Sequence, residues 1–258
     1  MNRQDVERIR ASGGWKRFRT EALDTSEGPV VVKGQRRPRT VIAAWLLNVV
    51  ASLAGSAEMR PIPAPGGPAG QAIELRRLQA LAAAGVRVPR VLHVDAGFVV
   101  MERLPGQSLG ERLAAQPADA GALWEQGLQF LRDVHARGQY LSQASARNLI
   151  VTPGGIAAID FEDDPREVLP VAAAQVRDWL LYLQSTVWLL PGPAEDLLPV
   201  WDRLAPAGGE AAALQDSVRR MAWMRHLPRN RRPWGRDIVS AQAAAALLHA
   251  WSLRRQGL

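Results

Sequence analysis

The chain has 258 residues, 47% of them apolar, enough to bury a core in one large domain or in two lobes around a cleft. It has no cysteine, which excludes a disulfide scaffold and thiolate metal sites and fits a reducing, cytoplasmic setting. A formal charge of +7 favours acidic partners such as nucleotides or phospholipid surfaces, but no aromatic-and-basic repeat or helix-turn-helix supports nucleic acid.

Met1–Arg19 is polar and Arg-rich without an apolar core, so no secretory signal is expected there. Residues 1–39 are expected to form the first strands of a small N-terminal lobe, with Pro29-Val-Val-Val-Lys33 as a buried strand. Of 32 basic residues only Lys16 and Lys33 are lysines. In a chain that otherwise writes positive charge as Arg, Lys33 stands out as a position needing a compact point charge. Ser12-Gly13-Gly14-Trp15 is the only candidate for a Gly-rich phosphate loop.

Thr40–Ala57 is uncharged and reads as a helix packed on that lobe rather than a membrane span. Its functional alternative is a helix lying on a membrane surface. Pro61–Gly70 reads as an irregular linker. Gln71–Ala84 reads as a helix with Ile73, Leu75, Leu78 and Leu81 on one face and Glu74 in its first turn. Val91–Asp95 and Gly97–Met101 read as strands, and Glu102–Leu109 breaks the pattern. Ala122–Arg137 is an amphipathic helix whose His135 falls on the buried face, as a core histidine.

Leu149–Val151 and Ile156–Ile159 are short apolar runs around the turn cluster Thr-Pro-Gly-Gly. As a hairpin they bring Asn148 and Asp160 to one rim, about 5 Å apart across the ladder. An amide oxygen and a carboxylate there suit a hard cation such as Mg²⁺. From Val176 on the chain reads as helices at 176–189, 194–204, 211–224 and 241–255. A basic loop, 225–236, lies between the last two; it reads as a solvated loop of an Arg-rich chain, with binding of a phosphate-bearing substrate or anionic lipid as its functional alternative.

Arg-Asn-Leu-Ile-Val followed by Ile-Asp-Phe-Glu resembles the catalytic-loop Asn and the Asp-Phe-Gly segment of the protein-kinase-like superfamily. The nearest branches in look are aminoglycoside phosphotransferases and bacterial lipopolysaccharide-core kinases. The resemblance implies an α+β, two-lobed, protein-kinase-like fold: a β-rich lobe over 1–101, a hinge over 102–109, and a helical lobe over 110–258. It implies ATP with Mg²⁺. Lys33 would hold phosphates, Glu74 would hold Lys33, and Asn148 and Asp160 would hold metal. Val31, Met101, Glu102, Ile150 and Ile159 would surround the base, and Asp178 would brace the catalytic loop.

Kinases carry an aspartate five residues before that Asn; here the position is Gln143, which accepts no proton. Gln143 would then orient the acceptor, with Glu162, Asp163 or Asp164 as substitute carboxylates. The short interval from Asp160 to Asp178 argues for a small-molecule branch. The implied activity is phosphate transfer to a hydroxyl of a sugar, lipopolysaccharide core or other small molecule. The alternative is an inactive, nucleotide-binding pseudokinase that scaffolds, in contact with the inner membrane face through 40–57 and 225–236.

Overall fold

The computed structural model describes residues 1–36, 57–60 and 62–257. The helix expected over 40–57, with its proposed membrane contact, lies outside these apart from Ala57. Among the described residues no helix is long and apolar enough to cross a membrane.

Strands β1 (Thr20–Thr25), β2 (Gly28–Gly34), β3 (Val91–Val94) and β4 (Phe98–Glu102) form an antiparallel sheet in the order β1-β2-β4-β3. Alternation along β2 sends Val30 and Val32 to one face and Val31 and Lys33 to the other. The first face forms a small core with Phe98, Val100 and Ile9. Ile9 belongs to helix α1 (Arg3–Ala11), so the chain does not begin with strands as expected. Asn2 caps α1 by accepting the Asp5 N–H at 2.7 Å, and only Val6 and Ile9 supply an apolar stripe. That stripe is too thin to show through a polar, Arg-rich sequence.

The short helix α2 (Gly14–Phe18) follows, then α3 (Gly67–Ala83). Helix α3 starts four residues before the expected Gln71, inside the supposed linker. Pro68 sits in its first turn, where a missing N–H leaves no hydrogen bond unmade. Glu74 therefore lies in the second turn, and the helix dipole does not explain its presence there.

The larger part of the chain is helical: α4 (Leu109–Ala114), α5 (Ala120–Ala136), α6 (Val171–Thr186), α7 (Leu198–Leu204), α8 (Gly208–Met221) and α9 (Arg236–Arg255). Its core contains a run of edge-on rings, His135–Trp179–Trp201–Trp251, with centroids 5.2, 5.6 and 5.7 Å apart. A second sheet, β5 (Gln107–Ser108), β6 (Leu149–Thr152) and β7 (Gly155–Ala158), lies on it. The β6–β7 hairpin turns at Pro153-Gly154, with Thr152 opposite Gly155. Gly106, at φ +128°, lets β5 approach β6: a Cβ there would stand 2.0 Å from the Val151 carbonyl oxygen. The architecture is α+β and two-lobed, a small antiparallel sheet above a larger helical part.

Candidate active site

Lys33 is the next-to-last residue of β2, on the face away from the small core. Its ammonium is surrounded by carboxylates. Nζ lies 2.6 Å from Glu74 Oε1, 2.7 Å from Asp160 Oδ1 and 3.1 Å from Glu162 Oε1. Arg19 also pairs with Glu162, and Arg36 Nη1 stands 3.8 Å from Glu162 Oε2. Three cations thus meet three carboxylates, which is how charges are held in a partly dry site.

Asp160 follows β7 with φ +69°, a left-handed backbone. Asp tolerates this conformation better than most residues because its short polar side chain bonds locally. Such outliers gather where a particular side-chain direction is needed. Ile159 N–H donates to the Asn148 carbonyl at 2.9 Å, closing the hairpin, so Asn148 and Asp160 bracket its open end. Asn148 is buried, and its Nδ2 donates to the Gln143 carbonyl at 3.1 Å. Burial pushes the Asp160 carboxyl up. Lys33, with Arg19 and Arg147 further off, pulls it down by more, so its pKa lies below the ordinary carboxylate value.

Lys33, Glu74, Asn148 and Asp160 line one cleft of about 330 Å³, together with Val31, Met101, Glu102, Ile150 and Ile159. Apolar walls from both sheets face each other across it, and Arg103 and Leu104 form its outer rim. The Glu102 carboxylate turns outward to Arg87 at 2.6 Å and Arg90 at 3.4 Å. Ser12–Trp15 does not reach the cleft. Ser12 Oγ and Trp15 N–H both donate to Glu21, and a Cβ on Gly14 would meet that carboxylate at 2.3 Å, so the Gly-Gly pair serves local packing.

The donors at the cleft are hard oxygens, as Mg²⁺ requires. Carboxylate oxygens of Glu74, Asp160 and Glu162 all lie within 4.8 Å of one another. Glu162 is buried, and its Oε2 has no hydrogen-bond partner. The donor chemistry and this oxygen, held only by Arg36 at 3.8 Å, fit a divalent cation.

Gln143 does not line the cleft; its Nε2 donates to Asp163 Oδ2 at 3.0 Å. The neighbouring carboxylates are engaged elsewhere. Glu162 faces Lys33, and Asp164 accepts from Tyr140 Oη at 2.7 Å and pairs with Arg76 at 3.0 Å. Asp178, fully buried, accepts the Leu141 N–H at 2.6 Å and faces His135 Nε2 at 3.2 Å. It thereby fixes the loop two residues before Gln143. Glu162 as a shared partner of Lys33 and Arg19 escaped the sequence reading, because the left-handed turn that brings Glu162 back has no glycine to announce it.

Residues 17–250 match the family described as the phosphotransferase enzyme family, APH. The chain belongs to this family. A sequence search of curated proteins finds no match. Among solved structures, a similar one is the aminoglycoside phosphotransferase APH(2'')-Ib in its ADP-bound form, at 12% identity and a TM-score of 0.46. That alignment covers 96% of this chain and 99% of the other. Family membership makes the chain a kinase-like phosphotransferase, in agreement with the resemblance carried by the hairpin and with its two-lobed α+β architecture.

Proposed function

We propose that the cleft binds Mg-ATP and that the chain transfers the γ-phosphoryl group to a hydroxyl of a sugar or other small molecule. The observation that carries this reading is the meeting of Lys33, Asn148 and Asp160 on one apolar-walled cleft. Val31, Met101, Ile150 and Ile159 suit a flat purine. The Leu104 backbone, which makes no hydrogen bond among the described residues, is available to the base edge. Lys33 is suited to the phosphates, with Glu74 holding it in place. Asn148 and Asp160 would hold Mg²⁺, with Glu162 beside them. Bound there, the ion would neutralise phosphate charge as the transfer proceeds.

Transfer requires the acceptor proton to leave. Gln143 cannot take it, but Asp163, tied to the Gln143 amide, is the carboxylate nearest in role to the missing aspartate. We assign Asp163 as the proton acceptor and Gln143 as its positioning residue. Positioning and charge stabilisation supply most of phosphoryl transfer, and a base contributes about 10²–10⁴-fold.

The test is a thermal-shift panel of nucleotides and metals, followed by mass analysis of products. Mg-dependent stabilisation by ATP, with transfer lost in Asp160→Asn, is the expected result. Asp163→Asn should lower kcat by about 10²–10⁴-fold with little change in the KM for ATP. Undiminished kcat in that variant removes Asp163 from the mechanism. Stabilisation by Mg-ATP without any product identifies a binding module instead, the reading that Gln143 favours.

A further inference from the structure

A second depression, larger than the nucleotide cleft, borders the catalytic loop. This groove of about 620 Å³ is lined by Ser145, Ala146 and Arg147 of that loop, by Trp188, and by Arg231 and Arg236. Two observations tie it to the reacting centre. Arg147 is chain neighbour to Asn148, and its charge reaches the Asp160 carboxylate. Ser108, also on the groove, pairs in register with Ile150, which lines the nucleotide cleft. One strand pair and one loop therefore contribute to both the nucleotide cleft and this groove.

The charges in the groove are uneven. Three arginines face two carboxylates, and one of these, Glu111, is committed. Glu111 closes the capping box of α4, accepting from Ser108 N at 2.9 Å and Ser108 Oγ at 2.7 Å. Asp237 stands 3.7 Å from Arg236. Arg147 and Arg231 have no side-chain hydrogen bond or ion pair among the described residues. Helix α9 also opens onto the groove through Arg236, Asp237 and Ser240, and its N-cap Gly235 has no side chain to occupy the first-turn amides. Unoccupied amides at a 20-residue helix and unpaired guanidinium groups both select negative charge. The Ser145 hydroxyl, buried at the loop, has no hydrogen-bond partner.

We propose that this groove is the acceptor site and that the acceptor is an anionic polyol, a sugar-sized molecule carrying a phosphate or carboxylate besides the hydroxyl to be phosphorylated. The anionic group lies against Arg147, Arg231 and Arg236, and the hydroxyl end points past the catalytic loop toward Asp160. Amino sugars, being cationic, are repelled. The proposal rests on the phosphotransferase reading only for what happens to the hydroxyl; selection of the anion stands on the groove.

The test is therefore a binding test. The full chain, loaded with Mg-ADP, is titrated with glucose, glucosamine, glucose 6-phosphate and glucuronate by calorimetry, with intrinsic tryptophan fluorescence as a second signal. The two anionic probes separate phosphate from carboxylate as the recognised group. At least one should bind roughly tenfold or more tightly than glucose, and glucosamine should bind most weakly. Arg147→Glu should weaken that binding by roughly ten- to a hundredfold, since a charge-assisted hydrogen bond becomes a repulsion. Should this variant not fold, Arg236→Glu serves, because that side chain is 64% exposed. Equal or tighter binding of glucose or glucosamine, no binding of either anion, or unchanged binding in the folded variants overturns the proposal. Anion binding by a chain that yields no phosphorylated product with Mg-ATP leaves the groove's selectivity standing and removes the phosphotransferase reading instead.

Discussion

Lys33 and His135 each stand between carboxylates, one at the cleft between the two sheets and the other inside the helical core. Lys33 faces Glu74, Asp160 and Glu162; His135 faces Asp178 at 3.2 Å and Glu210 at 3.1 Å. The surroundings differ. Asp160 is 32% exposed and lines a cleft, whereas Asp178 is fully buried, and Trp179 meets the His135 ring edge-on. The first cluster is open to exchange of partners and the second is sealed. The same chemistry can therefore serve binding in one place and rigidity in another, and access to solvent separates the two uses.

The largest effect expected from breaking this contrast is in the sealed cluster. Asp178→Ala leaves the buried His135 ring and the Leu141 amide without their acceptor, and should destabilise the fold by about 3–5 kcal/mol in denaturant titration. Glu210→Ala removes the other carboxylate from His135 and the acceptor of the Trp179 indole. About 1–3 kcal/mol is expected there, because Glu210 is partly exposed. Asp160→Asn should cost at most about 1 kcal/mol, a Tm shift of about 2–4 °C, while removing transfer. A loss as large as that of Asp178→Ala would place Asp160 among the structural residues.

pH separates the clusters by sign. Burial pushes the His135 pKa down, but its hydrogen bonds to Asp178 and Glu210 raise it by more, to above the ordinary 6.5. Its contribution is therefore complete below pH 6.5 and is lost as pH rises through the raised folded value. Asp160 has a lowered pKa, so its contribution is present above the ordinary 3.8 and disappears as pH falls through the depressed value. Thermal melts from pH 6 upward should show a falling Tm in the parent and a flatter profile in His135→Gln. Identical slopes would remove His135 as the source.

Much of the site was legible because it is written in local chemistry. The scarcity of lysine marks Lys33, and the turn cluster at Thr152–Gly155 makes the hairpin that sets Asn148 and Asp160 at one rim. Glu74 was singled out as the partner of Lys33, which donates to it at 2.6 Å; only its expected place in the first helical turn fails, because the helix begins at Gly67. Helices α1 and α2 were missed because two buried apolar residues in α1 and none in α2 leave hardly any period to read. The groove proposed for the acceptor is assembled from residues up to 132 positions apart, Ser108 to Ser240, and no spacing in the chain announces it.

The backbone at Asp160 narrows what that position can become. At φ +69° a β-branched or bulky residue is strained, and Gly, Asn and Asp are the residues most at ease. Aspartate and asparagine codons differ by a single base. A lineage that no longer needed catalysis could thus exchange the carboxylate for an amide in one mutational step and keep the loop's shape. Descendants that fold and bind but do not turn over are close by in sequence space, and most other exits from this position are closed by geometry.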